Sequence, residues 1–522
     1  MRRWVQLAGL GLFGLLFALN PLADRLLLPP DLFLKADPLL GLSAFLASWR
    51  LHESLLYGLP VVLAALVAGR FFCGWLCPLG TVFDLAAGKS PKKKNLPSLQ
   101  WKLYLLVGLA VAALLGLNLS GLIDPVAFLT RVFAFILYPL VMLITAAGID
   151  MLRPVADYLN LVTLSHAQVS QPVFSLILLT VLAALALFVL NYGRPRFWCR
   201  SFCPLGALLG IIARIGLFRR RVATSCTTCM QCSSACPTGA ILDDPRQYRP
   251  DECIYCTACA TVCPVHAVSF KLARDPAARP DLQRRGLLAS AAAGALAAFA
   301  VKKDAVAKVN PNRLIRPPGA LPEPEFQAAC IRCSQCMKAC PTNTLQPCLF
   351  ESGIGGIWSP RLDTRLAGCD QTCALCGTVC PTGAIRELPL EEKKHAKLGT
   401  AAIDTGRCLV WAQDRLCLIC DEQCPYNAIV FRWKDGSRKP FVVDTRCNGC
   451  GFCEQVCPVR GRSAIEVTQQ GEIRLLEGSY IEKAQELHLE LKENAGDDAF
   501  ILQGGHDSGS APEQLPDGIM KK

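Results

Sequence analysis

Cysteine sets the chemistry of this 522-residue chain: there are 29, and most fall into six quartets that each end in Cys-Pro. Cys226, Cys229, Cys232, Cys236 and Cys253, Cys256, Cys259, Cys263 both read C-x2-C-x2-C-x3-C-P. Four further quartets are Cys330, Cys333, Cys336, Cys340; Cys369, Cys373, Cys376, Cys380; Cys408, Cys417, Cys420, Cys424; and Cys447, Cys450, Cys453, Cys457. A gap of three residues after Cys369 and one of eight after Cys408 imply inserted loops. Short gaps let three thiolates wrap one face of a cuboidal [4Fe–4S] cluster, while the cysteine before proline leaves on a helix to reach a neighbouring cluster. The first two quartets then share two clusters, Cys226, Cys229 and Cys232 with Cys263, and Cys253, Cys256 and Cys259 with Cys236. Zinc sites instead separate two C-x2-C pairs by a longer loop, and disulfides need a Cα geometry that cysteines three apart rarely offer. Six [4Fe–4S] clusters are expected, and with them single-electron transfer.

Cys73/Cys77 and Cys199/Cys203 stand apart. Each pair is spaced i, i+4, which puts both thiols on one helix face. They lie in an internal repeat. GRFFCGWLCPLGTVFDL (69–85) aligns with RPRFWCRSFCPLGALLG (194–210), matching Arg70, Phe71, Cys73, Cys77, Pro78, Leu79 and Gly80 to Arg196, Phe197, Cys199, Cys203, Pro204, Leu205 and Gly206. Four thiols brought together by the repeat would bind a metal or cluster, or cycle between dithiol and disulfide. The competing reading is structural, two compact turns that end helical hairpins. Cys348, in LQPCLF, reads as a small buried core residue. His52 and His166 flank the apolar spans rather than lie in them, so no haem is expected. No flavin fingerprint, nucleotide loop or hydrolytic triad is legible.

The elements that must position these cysteines are strongly apolar. The chain is 52% hydrophobic with only 8% aromatic residues, and its mean hydropathy is +0.33. Spans are expected at 4–20, at 55–67 and on through FFCGWLC, at 103–123 and at 173–190, each near the ~20 residues that cross a bilayer core. The net charge of +12 gathers beside these runs, as KSPKKK (89–94) and as Arg219, Arg220 and Arg221. That is the pattern of membrane orientation rather than nucleic-acid binding, and it puts both sites in the cytoplasm. The apolar run 132–148 is also long enough to cross. A crossing there would break the parity between the two basic sites, so it is read as lying in the outer interface or packed re-entrantly. Asp37-Pro38 and Asp124-Pro125 occupy corresponding outer positions. Asp37 and Asp124 are candidates for a quinone site, but the turn is the preferred reading.

The fold class expected is mixed: an α-helical membrane domain of two helical hairpins plus a fifth span, with α+β ferredoxin-like [4Fe–4S] domains on both sides of the membrane. The domains are expected at 1–215 (four spans with the two C-x3-C-P repeats), 216–276 (a cytoplasmic two-cluster ferredoxin), 284–303 (a twin-arginine-like fifth span), 304–328 (a Pro-rich linker), 329–470 (a periplasmic four-cluster ferredoxin) and 471–522 (a polar tail). In the fifth span, LQRRGLLASAAAGALAAFAVKK, Arg284 and Arg285 precede an unbroken apolar run, as in an export signal placed mid-chain. The periplasm oxidises bare thiols, so the cysteines beyond this segment must cross already folded around iron. The segment is expected to remain uncut, as an anchor.

The first 275 residues resemble the NapH-type membrane ferredoxins, the quinol-dehydrogenase subunits of periplasmic nitrate reduction, on GRFFCGWLCPLG, RFWCRSFCPLGALLG and the quartets at 226–263. The same membrane block is found in regulators and maturation proteins of nitrous-oxide reductase, methylamine dehydrogenase and cytochrome oxidase, so by itself it does not define a function. The remainder resembles the NapG-type four-cluster periplasmic ferredoxin, on RRGLLA, RPPGALPEPEF, CIRCSQCMKACPTNTLQP, GIWSPRL, CALCGTVCPTGAI and CNGCGFCEQVCPV. That resemblance implies export by the twin-arginine route, and pairing of the first outer quartet with the fourth and the second with the third. The chain departs from the pattern in fusing the two proteins and in the motif QRRGLL, with no Phe and no following Lys. The implied protein is a quinol dehydrogenase of the bacterial inner membrane. It would pass electrons from menaquinol or ubiquinol to a periplasmic reductase or cytochrome, with a cytoplasmic donor for the inner clusters also open. The alternatives are a maturation protein that binds or reduces copper at the membrane cysteine pairs, and a redox-sensing regulator.

Overall fold

The computed structural model describes residues 2–25, 28–86, 101–193, 195–272, 282–302 and 313–491. The basic run 89–94, residues 304–312 of the expected linker and the tail from 492 lie outside the described residues. The chain divides into two units, one of residues 1–363, 371–393 and 474–478 and one of 364–370, 394–473 and 479–522.

The first unit is built on the repeat. In one copy the helix Glu53–Ala68 is followed by the short helices Phe71–Trp75 and Pro78–Ala86. In the other, Ile177–Gly193 is followed by Phe197–Ser201 and Pro204–Ala213. Gly69 (φ 57°) and Arg196 (φ 54°) interrupt the long helices. Pro78 and Pro204 open the next ones, because a first-turn residue has no intrahelical N–H bond to lose. The span expected to run unbroken through FFCGWLC is therefore a broken helix. Such breaks are tolerated in an apolar bundle where protein buries them.

Among the described residues, five helices run between the same two ends of this unit: Arg2–Ala18, Glu53–Ala68, Trp101–Leu114, Ile177–Gly193 and Arg284–Lys302. At one end Arg2 donates to the Gly74 carbonyl, Lys102 meets Glu252, and Asn191 donates to the Phe83 carbonyl. At the other, Lys338 donates to the carbonyls of Phe17 and Ala18 at 2.7 and 3.1 Å. Arg332 donates to the Asn118 carbonyl there, and Ser175 N–H donates to Gln346.

Two helices, Pro125–Tyr158 and Arg284–Val301, are long and apolar enough to cross a membrane by length and composition. The first packs against the second end of the bundle. It starts at the second end, Tyr138 still faces Lys338 Nζ at 5.5 Å, and Gln171 donates back to the Met142 carbonyl. It includes a π-turn over Phe133–Leu137 ahead of Pro139, which relieves the clash that a helical proline makes with the carbonyl four residues before it. Leu143, Ile144, Met151, Leu178, Leu182, Leu185 and Val189 are each more than half exposed. An apolar face that continuous is foreign to a water-facing surface.

The helix Arg284–Lys302 docks along Trp101–Leu114 through small residues. A Cβ on Gly294 would run into the Gly108 carbonyl oxygen, and one on Gly108 would lie 3.1 Å from the Ser290 carbonyl. Close backbone approach of this kind is how helices associate where apolar burial cannot distinguish helix from lipid.

The stretch 304–328, expected as a linker, is instead packed from Leu314 to Leu321. Its backbone bonds other segments: Leu362 N–H to Ile315 O at 2.8 Å, Arg386 N–H to Gly319 O at 2.8 Å, and Leu321 N–H to Ala384 O at 3.1 Å. Extended Pro-flanked backbone offers carbonyls at a free edge, and these segments use it. Arg316 is buried in this stretch, bonded to Glu323, Ser352 and Ser359.

In the second unit Thr400–Ile403 pairs antiparallel with Ile465–Thr468, and Ile429–Lys434 with Ser437–Val442. The second pair is closed by Asp435-Gly436, both with positive φ, the two-residue turn that Asp-Gly favours. Within the expected tail, Tyr480 is fully buried and Glu490 N–H donates to Thr445 O at 2.9 Å, so residues 479–491 belong to the unit.

Replacing Gly294 by Val is expected to push the helix Arg284–Lys302 off Trp101–Leu114, at about 1–3 kcal/mol for overpacking. A lowered thermal midpoint and new protease sensitivity near residue 303, measured in detergent, check this. An unchanged midpoint would contradict the close approach.

Candidate functional site

Four of the six quartets share one backbone device. Thr228 and Met230 flank Cys229, Tyr255 and Thr257 flank Cys256, Arg332 and Ser334 flank Cys333, and Gly449 and Gly451 flank Cys450; all have φ between 52° and 89°. Left-handed backbone on either side of a cysteine turns successive N–H groups toward one centre, a concave nest suited to an anionic iron–sulfur group. A second left-handed residue follows most Cys-Pro steps: Gly239, His266, Asn343, Gly383 and Asn427. With that turn the amides of Ala240, Ala267 and Ala428 donate to Sγ of Cys236, Cys263 and Cys424 at 3.3 Å, and that of Ile385 to Cys380 at 3.4 Å. The quartets with lengthened first gaps, at 369 and 408, lack the flanking pair.

The cysteine before proline joins the other quartet of a pair. Cys236 lines a cavity with Cys253, Cys256 and Cys259. The turn after Cys380 meets the first outer quartet, where Thr382 Oγ1 donates to the carbonyl of Ala329, the residue before Cys330, at 2.8 Å. In the second unit Cys424 lines a cavity with Cys447, Cys450 and Cys453, and Cys457 lines another with Cys408, Cys417 and Cys420. The structure thus joins the first outer quartet to the second and the third to the fourth. This corrects the pairing of first with fourth and second with third that the resemblance implied. Neighbouring quartets are tied by the chain between them. Leu345–Pro347 pairs with Pro360–Leu362, and the hairpin after Cys424 returns so that Val443 N–H meets Ala428 O at 2.7 Å.

These residues fit the group that the spacing implies. The cavities are lined mainly by thiols and apolar side chains, with Arg220 and Thr238 at the one that holds Cys236 and Asn448 at the one that holds Cys424. Burial pushes the thiols of Cys253, Cys330, Cys336, Cys450 and Cys453 up, and that of Cys420 up to about 12, so loading with iron must release protons. Arg220 puts one guanidinium nitrogen 3.6 Å from Cys232 Sγ and another 2.8 Å from the Pro245 carbonyl. In the basic run read as a topology signal, Arg219 and Arg220 are buried structural residues.

The four cysteines of the repeat share one core. Cys73, Cys77, Cys199 and Cys203 are buried in one core with Leu40, Leu79, Val126, Ala127 and Leu205. Two arginines, at most 1% exposed, cross between the repeats. Arg70 donates to the Cys199 carbonyl at 3.2 Å and Arg196 to the Cys73 carbonyl at 2.9 Å. Arg70 is also held by Glu252 at 3.0 Å, and Arg196 by both oxygens of Asp84 at 2.8 and 2.7 Å, a two-point fork of the strong kind. Gly80 and Gly206 make room for them. A Cβ on Gly206 would run into the Arg70 guanidinium, and one on Gly80 would lie 2.9 Å from the Cys73 carbonyl and 3.6 Å from Arg196 Nη1. The same glycines' amides donate to the thiols, Gly206 to Cys203 Sγ at 3.2 Å and Gly80 to Cys77. Each residue of C-P-L-G thus has a place: a thiol, a helix start, a core leucine and a clearance.

Asp37 and Asp124 cap helices. Asp37 Oδ1 accepts from the amides of Leu39 and Leu40 at 2.9 and 3.3 Å, and Asp124 Oδ1 from those of Val126 and Ala127 at 2.8 and 2.9 Å. Cys348 is fully buried, with Arg316 3.6 Å from its sulfur. The sequence reading matched Arg70 to Arg196 but gave them no role; their recurrence was the available signal. Asp84 and Glu252 carried none, because neither recurs in the repeat.

Comparison with known proteins accords with this division. The family described as "4Fe-4S binding domain" matches residues 55–97, 173–224 and 375–394, and a second family of that description matches 326–346; "4Fe-4S dicluster domain" matches 225–267 and 415–460. The chain is 35% identical over 206 residues to the ferredoxin-type protein NapG of Escherichia coli, covering 36% of this chain and 87% of that protein. It is 37% identical to the methylamine utilization ferredoxin-type protein MauM of Methylorubrum extorquens, over 30% of this chain and 72% of that protein. With the ferredoxin-type protein NapH of Haemophilus influenzae the identity is 28%, over 42% of this chain and 66% of that protein.

Cys333→Ala and Cys380→Ala are each expected to lose about four iron atoms, one cubane, and the double variant no more, because both residues serve one site. Iron analysis with cluster spectroscopy checks it; additive losses would contradict the pairing. Glu252→Gln leaves Arg70 and Lys102 buried without their shared carboxylate, and is expected to destabilise the protein by about 3–5 kcal/mol. Chemical denaturation against the exposed-site variant Arg249→Gln measures it.

Proposed function

The chain belongs to the family of ferredoxin-type proteins that includes NapG and MauM, with a NapH-like half ahead of it, and on that premise we propose that it is a membrane-bound quinol dehydrogenase. It would take electrons from menaquinol or ubiquinol and deliver them to a reductase or cytochrome outside the cytoplasm, through [4Fe–4S] clusters on all six quartets. Bound clusters supply reversible one-electron transfer, at potentials that surroundings spread over about −700 to +450 mV.

The observation that carries this reading is the placement of quartets at both ends of one apolar helical bundle. Asp251 and Tyr255 bond Arg70 and Trp75 at one end. Gln335 and Lys338 bond Pro30 and Phe17 at the other. Five helices of 14 to 19 residues connect the two ends, and the exposed apolar side chains around them suit lipid. With five crossings, 216–276 lies in the cytoplasm and 329–470 outside it. Trp75 and Tyr255 close one cluster-bearing loop against the bundle, and Lys338 does the same at the far end by capping the helix Arg2–Ala18, whose last carbonyls attract a cation. The Gly-mediated docking of Arg284–Lys302 supports an uncut anchor rather than a cleaved signal.

Membranes containing the full chain are expected to show bleaching of iron–sulfur absorbance when a menaquinol analogue is added; no reduction of any cluster rejects the quinol reading. On a blot the chain should run as one species of 56.6 kDa, and a mature fragment of roughly 220 residues would reject the anchor.

A further inference from the structure

We propose that Cys73, Cys77, Cys199 and Cys203 hold a further iron–sulfur centre, which relays electrons between the clusters at the two ends of the bundle. The inference rests on the reading that the flanking quartets carry [4Fe–4S] clusters, and it assigns the membrane cysteines a position in that chain.

Three observations carry it. The first is location. The core that buries the four thiols also contains Cys333, from the quartet at one end, and is packed by Cys256, from the quartet at the other. The tetrad is therefore in one continuous core with a candidate cluster ligand on each side. The second is the treatment of sulfur. Cys77 and Cys203 each precede proline and each receive a backbone N–H, as Cys236, Cys263, Cys380 and Cys424 do in the ferredoxin quartets. Hydrogen bonds to sulfur are among the means by which a protein sets cluster potential.

The third is charge. The Arg70 guanidinium and Cys203 Sγ both lie against Gly206, and Arg196 Nη1 and the Cys77 Cβ both lie against Gly80. A buried guanidinium gains little from neutral thiols and much from an anionic, thiolate-ligated group. The arginines also lock the two repeats together at the carbonyls of Cys73 and Cys199, which fixes the geometry of a site made half from each repeat.

In the relay one electron leaves the reduced cluster at Cys236, Cys253, Cys256 and Cys259 and reduces the tetrad centre. It then leaves the centre for the oxidised cluster at Cys330, Cys333, Cys336 and Cys380. No covalent bond changes and no proton is required. The reverse direction uses the same steps.

The test uses the full-length protein, purified without oxygen in detergent. Wild type is expected to hold about two to four iron atoms beyond those of the six quartets, with a matching extra Mössbauer component. Cys73→Ala/Cys199→Ala should lose that component alone. In oriented vesicles, an impermeant reductant on the side of residues 216–276 should then reduce only the two clusters there, whereas in wild type it reduces the clusters on both sides. Iron and spectra unchanged in the double variant overturn the relay, as does copper in place of the extra iron. If the double variant does not fold, thiol alkylation of the intact wild type decides: four protected membrane thiols support the site, and four free ones overturn it. Cys333→Ala separates this from its premise. If that variant also loses no iron, the cluster reading itself falls; if it loses iron while the tetrad variant does not, only the relay falls.

Discussion

A guanidinium buried in an apolar core must find acceptors within the protein, because removing it from water costs several kcal/mol that only paired charge and hydrogen bonds return. Arg70 and Arg196 impose that constraint twice at the centre of this molecule. Each is paired with a carbonyl from the other copy of the repeat and with one carboxylate, Glu252 or Asp84. The two copies cannot separate without stranding both charges. The same constraint reaches outward: Glu252 also holds Lys102 at the start of its helix, and Asp84 accepts from Arg2 and Gln6 on the first helix. Helix positions at this end of the bundle are set by where two cations must be neutralised.

At the cluster loops the constraint is backbone shape. Thr228, Tyr255, Thr257 and His266 stand at positive φ, where a side chain with a Cβ is held at about 1–3 kcal/mol of strain. Such conformations persist when the surroundings over-determine them, and a cluster bonded to the adjacent sulfurs would do so. Folding of these loops and loading with iron are then one process. That suits a chain whose later quartets are expected to cross a membrane already folded. In the second unit Gly449 and Gly451 occupy the equivalent places without that strain.

The ferredoxin loops were legible because ligation and local geometry sit within a few residues of each other: the spacing names the ligands, and the turn they need follows. The repeat was legible for the same reason. The Pro-rich composition of 304–328 is that of a linker, while the burial of its 314–321 part depends on Glu323, Ser352, Ser359 and Ala384, none of which composition can bring to it. The long apolar run 132–148 meets any length test for a crossing, and its Tyr138 lies against Lys338. Apolarity states that a helix avoids water, not which neighbour relieves it.

By itself the sequence determined the identity and spacing of the cysteines, the two C-P-L-G copies and the apolar periods, since each is written in neighbouring residues. Only the tertiary structure decided which quartet lies against which, that Arg70 and Arg196 cross to clamp the opposite repeat, and that the four thiols of the repeat lie in one core with Cys256 and Cys333. Those outcomes depend on groups tens or hundreds of residues apart. What brings them together is the need to pair buried charge and fill a common core, and no local pattern records that need.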